Sequence, residues 1–371
     1  ILTEGPSAPR VGIATHGISL TYVEENLTAE TRPRLLRVAT PFPFPENLGL
    51  EFLTGLDEVL CVEELDPVIE RALLQACAKH GLDVRIRGKL TGDIASAGEN
   101  TVESVGDALA AFLGDGPQES SPAASAPPLP VRPPVLCAGC PHRASFYAVK
   151  KAMRGRKTIY CGDIGCYTLG NSQPLDMVDT CLCMGAGIAI AQGISHVEPD
   201  TACFAFVGDS TFFASGITGV VNAFYNQADL TLVVLDNSTT AMTGHQPHPG
   251  TGRTMMGEVV EKVSIEAILR AIGLTVVETV DPLDHAHAVE TVRRVADGPG
   301  VKAIIFKSPC VMLAKPQATS HVDGETCIGC KRCISEIGCP ALFLEGGKAK
   351  IDSSLCTGCT LCEQLCPVGA I

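Results

Sequence analysis

Eight cysteines carry the clearest chemistry in this chain. Cys327, Cys330 and Cys333 are spaced two residues apart and lead to Cys339, which stands before a proline; Cys356, Cys359 and Cys362 repeat the spacing and lead to Cys366, again before a proline. A cubane iron–sulfur cluster takes four thiolates, and in paired clusters the fourth cysteine of each run reaches across to the other cage. A zinc ribbon uses only two CxxC knuckles and would leave four of the eight without a role. Iron–sulfur chemistry is therefore the expectation.

A second constellation lies at two strand ends. Gly208-Asp209-Ser210 follows the apolar run ending at Val207, and Asp236-Asn237 closes the next one. Glycine lets backbone approach a diphosphate, a helix expected to begin near Ser215 would offer free N–H groups, and Asp209 with Asn237 would present hard oxygens to Mg²⁺. Alone, such a Gly-Asp pair is more often a turn. Cys137-Ala-Gly-Cys140, Gly165-Cys166 and Cys310 form a third set, which the residue types leave open among packing, redox and zinc roles. Cys61, Cys77, Cys161, Cys181, Cys183 and Cys203 sit in apolar surroundings and read as packing residues, the loop of Cys181 and Cys183 being placed to line a cofactor. The stretch Thr243–Gly252, rich in Gly, Pro and His, reads by itself as a surface loop.

These residues need elements to position them. Residues 10–115 alternate β-type runs (Val11–Thr15, Leu35–Ala39, Glu58–Val62) with a helical pattern over Pro67–His80, as a small α/β unit with a mainly parallel sheet does. Residues 117–134 are dense in Pro, Ser and Ala and mark a linker. From 135 to 319, strands are expected at Thr158–Cys161, Thr201–Val207, Leu230–Leu235 and Lys302–Phe306. Helices are expected at Ser145–Met153, Met184–Ile194, Ser215–Asn226 and Ile265–Ala271. That order predicts a doubly wound sheet with ligand loops at the strand C-termini. Residues 320–371 are short of apolar side chains, so metal ligation is expected to organise them in place of a large core.

The net charge of −13 argues against a nucleic-acid partner, whose phosphates require clustered Lys and Arg. The apolar run Thr180–Ile194 is too short and glycine-rich to span a membrane and reads as a buried element. Eighteen cysteines at short spacings without a secretory signal favour metal ligation over disulfides, and a reducing cytoplasm. Because the chain opens at Ile1, a processed or truncated N-terminus is expected.

Residues 320–371 resemble bacterial-type ferredoxins with two 4Fe–4S clusters. The resemblance implies one cluster on Cys327, Cys330, Cys333 and Cys366 and another on Cys356, Cys359, Cys362 and Cys339. The first run departs from it by a longer loop before Cys339. Gly208–Gly244 resembles the thiamine-diphosphate signature, with Ser210 in place of the third motif residue. That resemblance implies Mg²⁺ ligation by the side chains of Asp209 and Asn237 and the carbonyl of Thr239. It also implies cofactor contacts from Gly165, Gly208, Ser210, Thr211 and Thr240, with Met242 at the thiazolium end. Residues 10–371 as a whole resemble the indolepyruvate group of the 2-oxoacid:ferredoxin oxidoreductases, through Cys137–Arg143, Gly162–Cys166 and Thr243–Gly252.

The family resemblance implies a transketolase-C-terminal-like domain over 1–116, a thiamine-diphosphate-binding domain over 135–319, and a third cluster on Cys137, Cys140, Cys166 and Cys310. It implies oxidative decarboxylation of an arylpyruvate to its acyl-coenzyme A, with electrons passing through the clusters to ferredoxin and a second (beta) subunit as partner. The glutamate that activates thiamine belongs, in this family, to a pyrimidine-binding domain that does not fit before Ile1. Another polypeptide or an upstream segment is expected to supply it. A non-oxidative decarboxylase has no use for eight ligand cysteines. An electron-transfer scaffold without thiamine chemistry, or an oxidoreductase for another 2-oxoacid, remain the alternatives.

Overall fold

The computed structural model describes residues 1–3, 10–27, 33–114, 129–315 and 317–371, which fall into two compact units, Ile1–Leu129 and Pro130–Ile371. Residues 117–128 of the expected linker lie outside the described residues. Its remainder, 129–134, is exposed and without regular structure.

The first unit contains β1 (Leu2–Thr3), β2 (Val11–Thr15), α1 (Ser19–Asn26), β3 (Arg34–Arg37), α2 (Glu46–Leu53), β4 (Glu58–Val62), α3 (Val68–His80), β5 (Arg85–Arg87) and α4 (Val102–Leu113). The sheet order is β1-β3-β2-β4-β5, parallel except for β1. β2 and β4 are continuous apolar runs because helices cover both faces. α2 and α3 pack with Leu36, Val59 and Cys61 on one face, while Ile13, Leu35 and Leu60 face α1 and α4 on the other. α3 buries Ile69, Leu73, Ala76 and Cys77, the stripe a 3.6-residue period predicts, and ends at Gly81 in the left-handed conformation that glycine adopts without strain.

The second unit is built on a six-stranded parallel sheet. Its elements are α5 (Pro141–Ala152), β6 (Thr158–Gly162), β7 (Thr180–Cys181), α6 (Ala186–Val197), β8 (Ala202–Gly208), α7 (Asp209–Thr211), α8 (Ile217–Tyr225), β9 (Leu230–Asp236), α9 (Ile265–Ile272), β10 (Val277–Val280), α10 (His285–Ala296) and β11 (Val301–Lys307). The order β10-β11-β9-β8-β6-β7 reverses direction between β6 and β8. Loops leaving those two strands therefore diverge to opposite faces and open a crevice at their C-terminal ends, the ligand position of doubly wound sheets. Alternate residues of the buried strands serve two cores. Phe204, Phe206, Leu235 and Phe306 face α5 and α10; Ala205, Val207, Leu232 and Val234 face α6, α8 and α9.

Three features differ from the sequence expectations. The helix expected near Ser215 begins at Asp209 instead: α7 runs through a π turn at Phe212–Gly216 into α8, so its free N–H groups follow Gly208 directly. The run Thr180–Ile194 is not buried throughout. β7 is an edge strand, Cys181 and Cys183 are exposed, and Leu182 is 73% exposed. Cys61, Cys77, Cys161 and Cys203 are buried as expected.

The last segment also differs. It forms α11 (Arg332–Ser335) and the hairpin β12 (Leu342–Glu345) and β13 (Lys348–Ile351), turning at Gly346-Gly347, both at positive φ. Its few apolar side chains are not left to metal ligation alone. Cys333, Ile337, Leu342, Ala349, Leu361 and Leu365 join Phe146, Tyr147 and Val292 in one core. The Gln364 side chain accepts from the His285 N–H (3.0 Å) and donates to the Leu283 carbonyl (2.7 Å), and Tyr147 donates its hydroxyl hydrogen bond to Glu336. Among the described residues no helix is long and apolar enough to cross a membrane.

Candidate functional site

The register of the large sheet sets the site. Gly208 and Phe306 both align with Leu235, so the loops after β8, β9 and β11 emerge level with one another beside the β6–β8 crevice. A cavity of about 170 Å³ occupies that position. Its lining contains Gly165, Gly208, Asp209, Ser210, Thr211, Asn237, Thr239, Thr240 and Met242, together with His142, Cys166 and Tyr167. Residues from four separate stretches thus share one wall.

Asp209 is 3% exposed; one carboxylate oxygen accepts from the N–H of Ser210 (2.8 Å) and the other from that of Ser238 (2.7 Å). His248 Nε2 stands 3.2 Å from the second oxygen, close enough for an ion pair but without hydrogen-bond alignment, and its ring stacks on Phe213. The Thr243–Gly252 loop therefore folds back onto Asp209 and is not only a surface loop. Sequence gave no hint of this beyond the presence of a histidine, because the contact depends on how the loop closes.

Asn237 is oriented by a residue that sequence reasoning placed only within a motif. Its amide nitrogen lies 3.2 Å from Nε2 of His142. An amide nitrogen can only donate, so Nε2 accepts and the imidazole is neutral with its proton on Nδ1. Burial holds it so, pulling the imidazole down to about 4 against the opposing charge of Asp209. The Asn237 carbonyl oxygen then turns the other way, toward the Thr239 N–H at 3.3 Å. Thr240 donates to the Ser210 hydroxyl (2.9 Å), tying the two strand-end loops together.

Tyr167 and Asp163 form a further missed pair. The Tyr167 hydroxyl donates to Asp163, whose other oxygen accepts from Gly185 N–H at 2.5 Å. Burial pushes the Asp163 carboxyl up to about 6, against the two hydrogen bonds that favour its charge. The pair braces the β6 loop under Gly165. A Cβ on Gly165 would meet the Tyr167 ring at 2.2 Å, and one on Gly208 would meet it at 2.7 Å, so both positions require glycine.

The cysteines assemble in three groups. Cys327, Cys330, Cys333 and Cys366 line one small cavity, and the first two and the last raise the Cys333 thiol after burial. Cys359, Cys339 and Cys356, in that order after burial, raise Cys362 to about 12. Each fourth cysteine thus lies with the opposite run, as crossed ligation requires. In the third group, burial and then Cys310 and Cys137 raise Cys166; burial, opposed by backbone N–H groups, raises Cys140 to about 12, with Cys137 adding to the rise. Cys166 also lines the thiamine-signature cavity, and burial, then Cys137 and Asp209, raise Cys310.

Among the described residues no three His, Cys, Asp or Glu side chains converge on a point able to hold a single metal ion. The donor sets are of other kinds: a cubane spreads its thiolates around a cage, and the oxygen set of Asp209, Asn237 and Thr239 contains one acidic side chain. The crevice fits a diphosphate with Mg²⁺: it offers a buried carboxylate, an oriented amide oxygen and a glycine whose Cβ would have no room.

Comparison with known proteins agrees with this division. The model of the thiamine pyrophosphate enzyme C-terminal TPP binding domain matches residues 163–306, and that of the 4Fe-4S binding domain matches residues 349–371. The chain is similar to the indolepyruvate oxidoreductase subunit IorA of Methanothermobacter marburgensis, at 41% identity over 97% of this chain and 59% of that protein. The IorA subunit of Archaeoglobus fulgidus is 39% identical over 97% of the chain and 59% of its own length. The 2-oxoglutarate synthase subunit KorB of Archaeoglobus fulgidus is 37% identical over 32% of the chain and 46% of its length. The chain spans about three fifths of the IorA relatives it matches.

Proposed function

The chain belongs to the family of indolepyruvate oxidoreductase IorA subunits, and we propose that it supplies the diphosphate-binding and electron-carrying part of a 2-oxoacid:ferredoxin oxidoreductase. The substrate is an arylpyruvate, indolepyruvate by the names of the relatives; the products are its acyl-coenzyme A, carbon dioxide and reduced ferredoxin. The observation that carries this reading is that Cys166 lines the same cavity as Asp209 and Asn237. A decarboxylating site and a one-electron acceptor then share a wall.

When bound, thiamine diphosphate supplies a carbanion that attacks the 2-keto carbon and holds the electrons left by decarboxylation. The chain's own residues do the rest. Asp209, Asn237 and the Thr239 carbonyl would hold Mg²⁺, and His142 keeps the Asn237 oxygen directed. Ser210, Thr211, Thr240 and the N–H groups of α7 receive the diphosphate, where helix dipole and free donors favour an anion. Cys137, Cys140, Cys166 and Cys310 would hold one cluster and the two ferredoxin-like quartets two more, which would supply one-electron carriers. Residues 135–319 and 320–371 act as thiamine and ferredoxin-like domains of one compact unit. Ile164, Met184 and Met242 border the cavity yet are 39%, 46% and 50% exposed. An apolar rim of this kind suits a second body over the mouth, either the pyrimidine-binding domain with its activating glutamate or an upstream segment.

The test is a cofactor assay on the anaerobically purified chain. Thiamine diphosphate bound with Mg²⁺, together with about twelve irons for three cubanes, supports the reading. Iron without affinity for thiamine diphosphate would leave only an electron-transfer scaffold. Turnover is expected only when a polypeptide bearing the glutamate is added, and turnover by these 371 residues alone refutes that part.

A further inference from the structure

Arg143 is buried, 4% exposed, in the first turn of α5, three residues after Cys140. A cation at a helix N-terminus opposes the helix dipole. Its Nη1 donates to the carbonyls of Ile337 (2.5 Å) and Gly338 (2.8 Å), which lead to Cys339; its Nη2 donates to the carbonyls of Leu136 and, at 3.5 Å, Cys137. The guanidinium therefore spans from the loop of the third cysteine group to the loop of the Cys339 group. Nε is buried and has no hydrogen-bond partner, and no carboxylate among the described residues pairs with the side chain. Burial works against the guanidinium's charge, and the groups that would favour it once ionised are Cys339, Cys140, Cys359 and Cys137, all from those two quartets.

The two quartets are direct neighbours at this point. The loops Cys137–Cys140 and Cys356–Cys359 press together so closely that a Cβ on Gly139 would meet the Thr357 hydroxyl oxygen at 1.9 Å. A guanidinium buried here without an anion would be costly. Four thiolates leave a cubane net negative, so a cluster on either side supplies the missing counter-charge and sulfur acceptors for the orphan Nε–H.

We propose that Arg143 is the shared counter-charge of two clusters, one on Cys137, Cys140, Cys166 and Cys310, the other on Cys339, Cys356, Cys359 and Cys362, and that its Nε–H hydrogen-bonds a cluster sulfur. The inference rests on the reading that both quartets hold clusters. Net charge and hydrogen bonds to sulfur set cluster potentials. A fixed positive charge stabilises the reduced state of both clusters, while the cluster on Cys327, Cys330, Cys333 and Cys366 lies outside its carbonyl contacts. Arg143 is thus a positioning and potential-setting residue that touches no substrate.

The experiment is a redox titration followed by electron paramagnetic resonance on the iron-loaded chain. In R143Q, the reduced-to-oxidised ratio of these two clusters at a fixed potential should fall roughly tenfold, with the cluster on Cys327, Cys330, Cys333 and Cys366 unmoved and R143K restoring most of the loss. Equal shifts in R143Q and R143K, or none in R143Q, overturn the proposal. A measurement on the unmutated chain guards against a variant that does not load: with ¹⁵N-arginine incorporated, a reduced cluster should show a ¹⁵N hyperfine coupling, and its absence overturns the proposal as well. Iron count separates the two levels. Full iron with no arginine effect removes this inference alone, whereas iron missing from the Cys137 set removes the functional reading of that set too.

Discussion

The chain makes the same Cys-x-Gly-Cys loop three times and groups it with further cysteines in two different ways. Cys137–Cys140, Cys327–Cys330 and Cys356–Cys359 each place a glycine before the second cysteine, and Gly139, Gly329 and Gly358 all adopt positive φ. The two ferredoxin-like loops meet their further cysteines within forty residues, and the last cysteine of each run lies with the other run, so clusters held there would tie the hairpin and the cages together. The first loop lies with Cys166 from the β6 turn and Cys310 beyond the end of β11, strand ends that a large sheet already holds in place. A quartet that organises its own fold and a quartet lodged on a finished fold should respond differently to the same damage.

The largest effect follows from that contrast. Cys359→Ser should remove about four irons and also lower the thermal stability of residues 320–371, because metal ligation there contributes to folding. Cys310→Ser should remove about four irons and leave the melting temperature nearly unchanged. Parallel iron analysis and calorimetry decide it, and equal losses of stability would erase the distinction.

Asp209→Ala probes the site that the lodged quartet serves. Thiamine diphosphate affinity should fall by more than the roughly tenfold to hundredfold that losing a residue hydrogen-bonded to a metal ligand costs, with iron content unchanged, as titration calorimetry and iron assay would read. Thiamine retention equal to the parent would sink the Mg²⁺ assignment.

A smaller effect tests where the two kinds of loop meet. Gly139→Ala places a side chain in a left-handed conformation against Thr357, which should destabilise the chain by about 2 kcal/mol or more. Thr357→Ala should recover only the steric part, since the backbone strain remains. A double-mutant cycle in denaturant measures that coupling, and strict additivity would mean the loops do not bear on each other.

The smallest effect, absent at neutral pH, comes from His285, which docks beneath the ferredoxin-like segment. It stacks on Tyr147 with both ring nitrogens unpartnered, and burial, then Lys151, pull it down to about 4. Between about 6.5 and 4 the unfolded chain binds a proton that the folded chain does not, so the stability this group contributes is complete above 6.5 and declines as pH falls through that window. His285→Phe should flatten the acid limb of a stability–pH curve and change little at pH 7.

Much of this was readable without coordinates. β2 and β4 have the expected bounds because an unbroken apolar run flanked by polar turns has few other ways to fold. The two three-cysteine runs are plain in the spacing, while the assignment of a fourth cysteine to each came only from the resemblance to two-cluster ferredoxins. The start of the helix after Gly208 was misplaced, because the Asp209 carboxylate and the register of β8 against β9 set it more than any propensity does. The shared core of residues 320–371 was also missed: apolar residues scattered among cysteines and turns show no period, yet they complete a core whose other half includes α5 and α10.

What is local was legible along the chain: the strands and helices that carry a period, the Cys-x-Gly-Cys loops, the acidic residue after a glycine at a strand end. Tertiary structure decided what depends on distance through space. It brought Cys166 to the wall shared with Asp209, turned His142 onto Asn237, folded His248 back to the carboxylate, and set Arg143 between two groups of cysteines, paired with no carboxylate among the described residues. The physical reason is that a parallel sheet aligns the ends of strands far apart in the chain, and no periodicity along the sequence records which ends will become neighbours.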